Sequence, residues 1–108
     1  MDYEEKAYDL DVSIDAHNDI SEITGYIAKE LNNPQAAASL LDDLYSAYFN
    51  VKSNPYIYAL CGDERLRRKG YRRIVIKNYL IFFRVDEKKR KVYIVRVIYG
   101  ARDYTKLL

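Results

Sequence analysis

The stretch RRIVIKNYLIFFRVDEKKRKVYIVRVIYG, residues 72–100, decides the fold. It is rich in β-branched and aromatic residues and is broken twice by short polar pieces, the pattern of consecutive strands. Tyr71 to Ile76 reads as one strand, Lys77-Asn78 as a two-residue turn, and Tyr79 to Val85 as the next strand. The polar run DEKKR, residues 86–90, is a hairpin loop, and Val92 to Tyr99 is the last strand. Connections this short join antiparallel neighbours.

Side chains alternate across a strand, so the turn sorts them into two faces. A two-residue turn pairs Ile76 with Tyr79. One face then carries Arg72, Ile74, Ile76, Tyr79, Ile81, Phe83 and Val85, and the other Tyr71, Arg73, Val75, Leu80, Phe82 and Arg84. In the last strand Tyr93, Val95, Val97 and Tyr99 oppose Val92, Ile94, Arg96 and Ile98. Burying an unpaired arginine is costly, so Ile81, Phe83, Val95 and Val97 are expected in the core. Arg73, Arg84 and Arg96 are then expected on an open face with Leu80, Phe82, Ile94 and Ile98. A patch both apolar and basic is the mark of a binding surface.

Upstream, residues 56–70 (YIYALCGDERLRRKG) read as a long loop with room for a brief strand. It brings Arg65, Arg67, Arg68 and Lys69 to the rim of the open face. Before it lie two helices. Ala16, Ile20, Ile23, Ile27 and Leu31 make one apolar stripe, capped by Ser13 or Asp15. Asn33 suits the cap and Pro34 the first turn of a second helix, whose buried face is Ala37, Leu40, Leu41, Leu44, Tyr48 and Val51. Ser53-Asn54-Pro55 stops it. The short break between the helices predicts an antiparallel hairpin. Tyr8, Leu10, Val12 and Ile14 alternate with polar residues in a half-buried first strand. The order β-α-α-β-β-β predicts an α+β fold over residues 1–108, one domain, with a helix hairpin on one face of a small twisted antiparallel sheet. Downstream, Gly100 releases the chain and Arg102 stands between Tyr99 and Tyr104.

The chain has 108 residues, enough for one core. It carries a single cysteine, Cys61, an acidic start without an apolar signal core, and no apolar run of membrane-spanning length, which points to the cytoplasm. Net charge is +2, but residues 1–50 hold 11 acidic and 2 basic side chains, whereas residues 51–108 hold 16 basic and 5 acidic. Such asymmetry suggests an anionic partner for the second half, unless the halves neutralise each other across the fold. There is no His/Cys cluster of zinc spacing and no phosphate-binding glycine loop, so neither metal nor cofactor is expected.

With ISEITGYIAKELNNPQAAASLLDDL in the helices, GYRRIVIKNYLIFFRVDE at 70–87 and VYIVRVIYGARDY at 92–104, the chain resembles the RelE/ParE superfamily of toxins from toxin–antitoxin pairs. The resemblance implies the fold just derived and a cognate antitoxin as partner, in a toxin–antitoxin hetero-oligomer. Two activities occur in that superfamily: ribosome-dependent mRNA cleavage in RelE-like members, and inhibition of DNA gyrase in ParE-like members. The RelE pattern implies a catalytic arginine where this chain has Leu80, and a second one matched by Arg102. The ending RVIYGARDY is nearer the ParE-like pattern.

Cleavage without a metal needs proton transfer and cations that stabilise added negative charge on phosphate. Arginine suits the last role. As a nuclease, the chain would use Arg102, Arg84 and Arg96, with Tyr104 in proton transfer or base stacking, and would hold RNA phosphates on Arg65, Arg67, Arg68, Lys69 and Arg73. The antitoxin would cover Leu80, Phe82, Ile94 and Ile98. A plain RNA-binding module is the reading from outside the toxin class.

Overall fold

The computed structural model describes residues 7–108. Strand β1 (Asp9–Val12) leads into helix α1 (Ile14–Gly25), which ends in a π turn (Tyr26–Glu30), and helix α2 (Pro34–Ser53) follows. A five-residue helix, α3 (Glu64–Arg68), precedes β2 (Arg72–Ile76), β3 (Tyr79–Asp86) and β4 (Lys91–Tyr99). Short 3-10 turns occupy Pro55–Ile57 and Tyr104–Lys106. The sheet order is β1-β4-β3-β2. β2, β3 and β4 form the expected antiparallel meander, and β1 adds to β4 in parallel. The sheet is therefore mixed.

The local signals act as their chemistry requires. Ser13, not Asp15, caps α1: its Oγ accepts from the Ala16 N–H. Asn33 caps α2 in the same way, with Pro34 in the first turn. Ile76 pairs with Tyr79 across Lys77-Asn78, and Lys77 takes the left-handed conformation (φ 53°) that such a tight turn demands. Residues 56–70 are more ordered than a long loop. Asp63 accepts from the Leu66 N–H and starts α3, Gly70 (φ 83°) ends it, and Leu60 forms a bridge to Arg72. Five residues are too few for a helical stripe to show in the sequence.

The inner core lies between the helix hairpin and the sheet. Leu40, Leu44 and Val51 of α2 meet Ile74, Ile81, Phe83, Val92, Ile94 and Val97. Three face assignments change here. A bulge in β4 interrupts the alternation: Phe82 pairs with Arg96, Phe83 with Ile94, and Val95 is the extra residue. Ile94 and Val92 consequently join the inner core, and Val95 turns to the outer face. Unbroken alternation had put these three the other way round.

The outer face is not open. Leu80, Phe82 and Ile98 lie in a second core with Cys61, Leu66 and Tyr71, and Val95, Tyr104, Leu107 and Leu108 pack against it. Helix α3 and the C-terminal turn together form its lid. The Arg65 guanidinium joins the lid's two parts through a hydrogen bond to the Thr105 carbonyl. No helix among the described residues is long and apolar enough to cross a membrane.

Candidate functional site

The expected site requires Arg84, Arg96 and Arg102 to converge. The strands hold them apart. Arg84 sits opposite Tyr93 in the register of β3 and β4, on the outer face, with its guanidinium 5.4 Å from the Tyr71 ring centroid. Arg102 follows the other end of the sheet, where Tyr79 pairs with Tyr99. Arg84 and Tyr79 are five residues apart in one strand, about 17 Å at the usual rise.

Arg96 is engaged elsewhere. Strand β1 pairs with β4 only as far as Ile94, so the edge of β4 beyond it needs another partner. Ser13 supplies part of it, its N–H donating to the Ile94 carbonyl and its hydroxyl to that of Val95. Asp19 of α1 supplies the rest. Its carboxylate accepts the Val97 N–H at 2.9 Å and takes Arg96 in a two-pronged pair at 2.7 and 2.8 Å. Both side chains are largely buried, at 19% and 12% exposure. The Asp19 hydrogen bond holds the Arg96 pKa above its ordinary value, with Asp15 and Glu22 adding to the effect. Arg96 thus pins α1 to the sheet rather than facing solvent.

Arg102 is exposed, and its N–H donates to the Tyr99 carbonyl. It lines a small depression with Asp19, Glu22 and Tyr99, so its neighbours are carboxylates and not the other expected cations. The residue before Ala101, Gly100, favours a close approach: its N–H reaches the Asn78 carbonyl at 2.8 Å, and a Cβ there would crowd that oxygen at 3.2 Å. Tyr104 packs its ring on Phe82, with centroids 5.0 Å apart.

The expected phosphate-binding residues do share a region. Arg65, Arg67, Arg68 and Lys69 are exposed on or just after α3, and Arg73 and Arg84 are exposed on neighbouring strands. Arg68 is paired with Glu64 at 2.8 Å. A cavity of about 520 Å³ on this face is lined by Arg84, Lys88, Tyr93 and Val95, together with Asp86 and Glu87. The apolar residues assigned to the antitoxin are interior instead: Leu80 is 8% exposed, Phe82 and Ile94 are fully buried, and Ile98 is 1% exposed. The charged halves also neutralise each other in part, through Asp11–Lys91, Asp19–Arg96 and Asp43–Lys77. Among the described residues no group of His, Cys, Asp or Glu is placed to hold a metal ion.

A cluster that the sequence did not announce ties the hairpin loop to the rest. Tyr8 and Tyr56 both donate to Glu87 Oε2 at 2.6 Å, and Arg90 reaches Glu87 Oε1 and the Tyr8 hydroxyl at 3.2 Å. The two hydroxyls, with Arg90, hold the Glu87 carboxyl below its ordinary pKa. Donation to that carboxylate pushes the Tyr56 hydroxyl up to about 12.

The family described as "ParE toxin of type II toxin-antitoxin system, parDE" matches residues 10–104. Two solved structures share the fold. The chromosomal ParDE toxin–antitoxin system of P. aeruginosa is 18% identical with a TM-score of 0.69, covering 87% of this chain and 97% of that one. The RelBE2 toxin–antitoxin complex of Mycobacterium tuberculosis is 17% identical with a TM-score of 0.60, covering 86% and 98%. No curated protein matches the sequence.

Proposed function

The chain belongs to the ParE toxin family of type II toxin–antitoxin systems, and from that premise we propose that it arrests growth by binding DNA gyrase, without covalent chemistry of its own, and that a cognate antitoxin neutralises it. The observation that carries this reading is Leu80. Where the RelE-like pattern implies a catalytic arginine, this chain has a leucine built into the outer core, under Leu66 and the C-terminal residues. The separation of Arg84, Arg96 and Arg102 supports the same conclusion, because charge stabilisation at one phosphate needs cations aimed at one point. The solved ParDE and RelBE2 assemblies support an antitoxin as partner.

The exposed basic arc of α3, with Arg73 and Arg84, favours a second reading, RNA binding with mRNA cleavage on the ribosome. Induced expression without an antitoxin separates the two. Growth arrest with intact mRNA 5′ ends, and loss of plasmid supercoiling by purified gyrase, is the expected result. Discrete cuts within translated codons, abolished by Arg102→Ala, would replace it with the nuclease reading.

A further inference from the structure

On its inner side the sheet outruns the helices. Tyr79 and Tyr99 pair at its far end with ring centroids 5.8 Å apart, edge to face. Between them and the end of α1 runs a groove of about 650 Å³, walled by Tyr26, Leu31, Tyr79 and Tyr99, with Glu22 and Asn78 at its polar positions.

The π turn makes this groove. The Leu31 N–H bonds the Tyr26 carbonyl, five residues back, instead of the carbonyl four back. The wider turn rotates Leu31 off the buried stripe that its spacing predicts. Leu31 ends up 57% exposed and Tyr26 54%. Turns of this kind recur at functional sites because they break a helix's regular packing at a local cost. Tyr99 is also 46% exposed. Tyr26, Tyr79 and Tyr99 line this one space, and burial, with the nearby hydroxyls of Tyr99 and Tyr26, raises the Tyr79 pKa.

Charge indicates what fits. Glu22 is the charged residue of the lining, whereas its neighbour on the helix, Asp19, is already committed to Arg96 and the Val97 N–H. Asp15 lies along the same helix. The groove is therefore aromatic and half-exposed, with Glu22 as the carboxylate of its lining and Arg102 in the adjoining depression that Glu22 and Tyr99 also line. Tyrosine walls offer large contact area for little loss of side-chain freedom, and residues of this type dominate binding energy at protein interfaces.

We propose that this tyrosine groove is the surface that grips the toxin's target, and that its occupant is a segment of the target protein which seats an apolar side chain among Tyr26, Leu31, Tyr79 and Tyr99 and sets a lysine or arginine against Glu22. The inference rests on the reading of the protein as a binding inhibitor.

The test uses the purified full-length chain against intact gyrase and relaxed plasmid, in parallel with growth arrest on induction. The variants are Tyr26→Ala/Leu31→Ala and, separately, Glu22→Lys. A control, Tyr45→Ala/Phe49→Ala, removes equally exposed apolar side chains from α2. Thermal unfolding confirms that each variant folds, and the charge reversal at an exposed position covers the case in which the double variant does not. The groove variants are expected to need at least about tenfold more protein for the same inhibition, with the control unchanged. Folded groove variants that inhibit as the wild type does would overturn the groove and leave the gyrase reading standing. If the wild type arrests growth but leaves supercoiling intact, the gyrase reading fails. The arrest assay then decides the groove alone: loss of arrest in the groove variants supports it, and retention overturns it. A wild type that neither inhibits nor arrests overturns both.

Discussion

The two faces of the sheet are both apolar, yet they are covered by very different means. The inner face packs against a 20-residue helix and its partner in the hairpin. The outer face packs against a five-residue helix, a three-residue turn and the last two leucines of the chain. An isolated helix of five residues has no stability of its own. The outer cover therefore exists because Leu66, Tyr104, Leu107 and Leu108 find Leu80, Phe82 and Ile98, whereas the inner helices add capped, regular hydrogen bonding of their own to their packing. The inner face carries the fold. The outer face is a surface that the chain closes over itself with its least persistent parts.

Adjacent phenylalanines test this contrast directly. Phe83 and Phe82 are both fully buried, one facing each core. Phe83→Ala is expected to cost about 4–5 kcal/mol, because rigid helices cannot collapse into the hole, and Phe82→Ala about 3 kcal/mol, because a short lid can settle. Denaturant unfolding of the two variants measures the difference. Equal costs would mean that the lid is as rigid as the hairpin.

Asp19→Ala comes next, at about 3 kcal/mol. It leaves Arg96 without its carboxylate and the Val97 N–H without an acceptor at a largely buried edge. The double variant Asp19→Leu/Arg96→Leu should recover much of that loss, since no unpaired charge remains. Recovery measured by thermal unfolding would place the cost in the stranded arginine.

Removing the outer lid's anchors should do less to the whole and more to one face. Leu107→Ala/Leu108→Ala is expected to cost about 1–2 kcal/mol, both side chains being only partly buried. Amide exchange should quicken around Leu66 and in the C-terminal turn while Leu40, Leu44 and Val51 in α2 keep their protection. Uniform quickening would show a single cooperative unit and remove the contrast between the faces.

How far these features could be read from the sequence follows the same division. The long elements were legible, because periodicity and caps are local: Asn33-Pro34, Ser13 and the Lys77-Asn78 turn act as their residue types demand. The parallel addition of β1 to β4 was not, since nothing in four alternating residues states the direction of a partner. The bulge at Val95 was invisible, because an extra residue inside an apolar strand leaves the pattern unchanged until Phe82 and Phe83 are paired. That one residue moved Ile94 inward. Arg96 escaped as a site residue for a different reason, as its partner Asp19 lies 77 positions away. At the π turn, Leu31 obeys helical spacing in the sequence and departs from it in space.

The smallest effect concerns the clamp that joins the β3–β4 loop to the start of β1 and the turn after α2. Tyr8→Phe deletes one hydroxyl donor to Glu87 and is expected to cost about 1 kcal/mol. The clamp's pH dependence has a definite sign on each side. The folded Glu87 carboxyl titrates below its ordinary value of 4.5, so its contribution is present above that value and is lost as the pH falls through the lower, folded one. Tyr56 titrates near 12 instead of 10, so its contribution is present below pH 10 and is lost between pH 10 and about 12. Glu87→Gln should therefore lower the midpoint of thermal unfolding at pH 7, and its deficit against the wild type should shrink as the pH drops below 4.5. Tyr56→Phe should show its deficit closing on the alkaline side as the hydroxyl ionises, and on the acid side together with that of Glu87→Gln, because both report the same bond. If the two deficits do not depend on pH, the hydroxyl–carboxylate bonds hold the loop no better in the folded chain than water does, and the loop is fixed instead by Arg90, whose guanidinium lies 4.1 Å from the Tyr8 ring centroid and whose carbonyl accepts the Asp9 N–H.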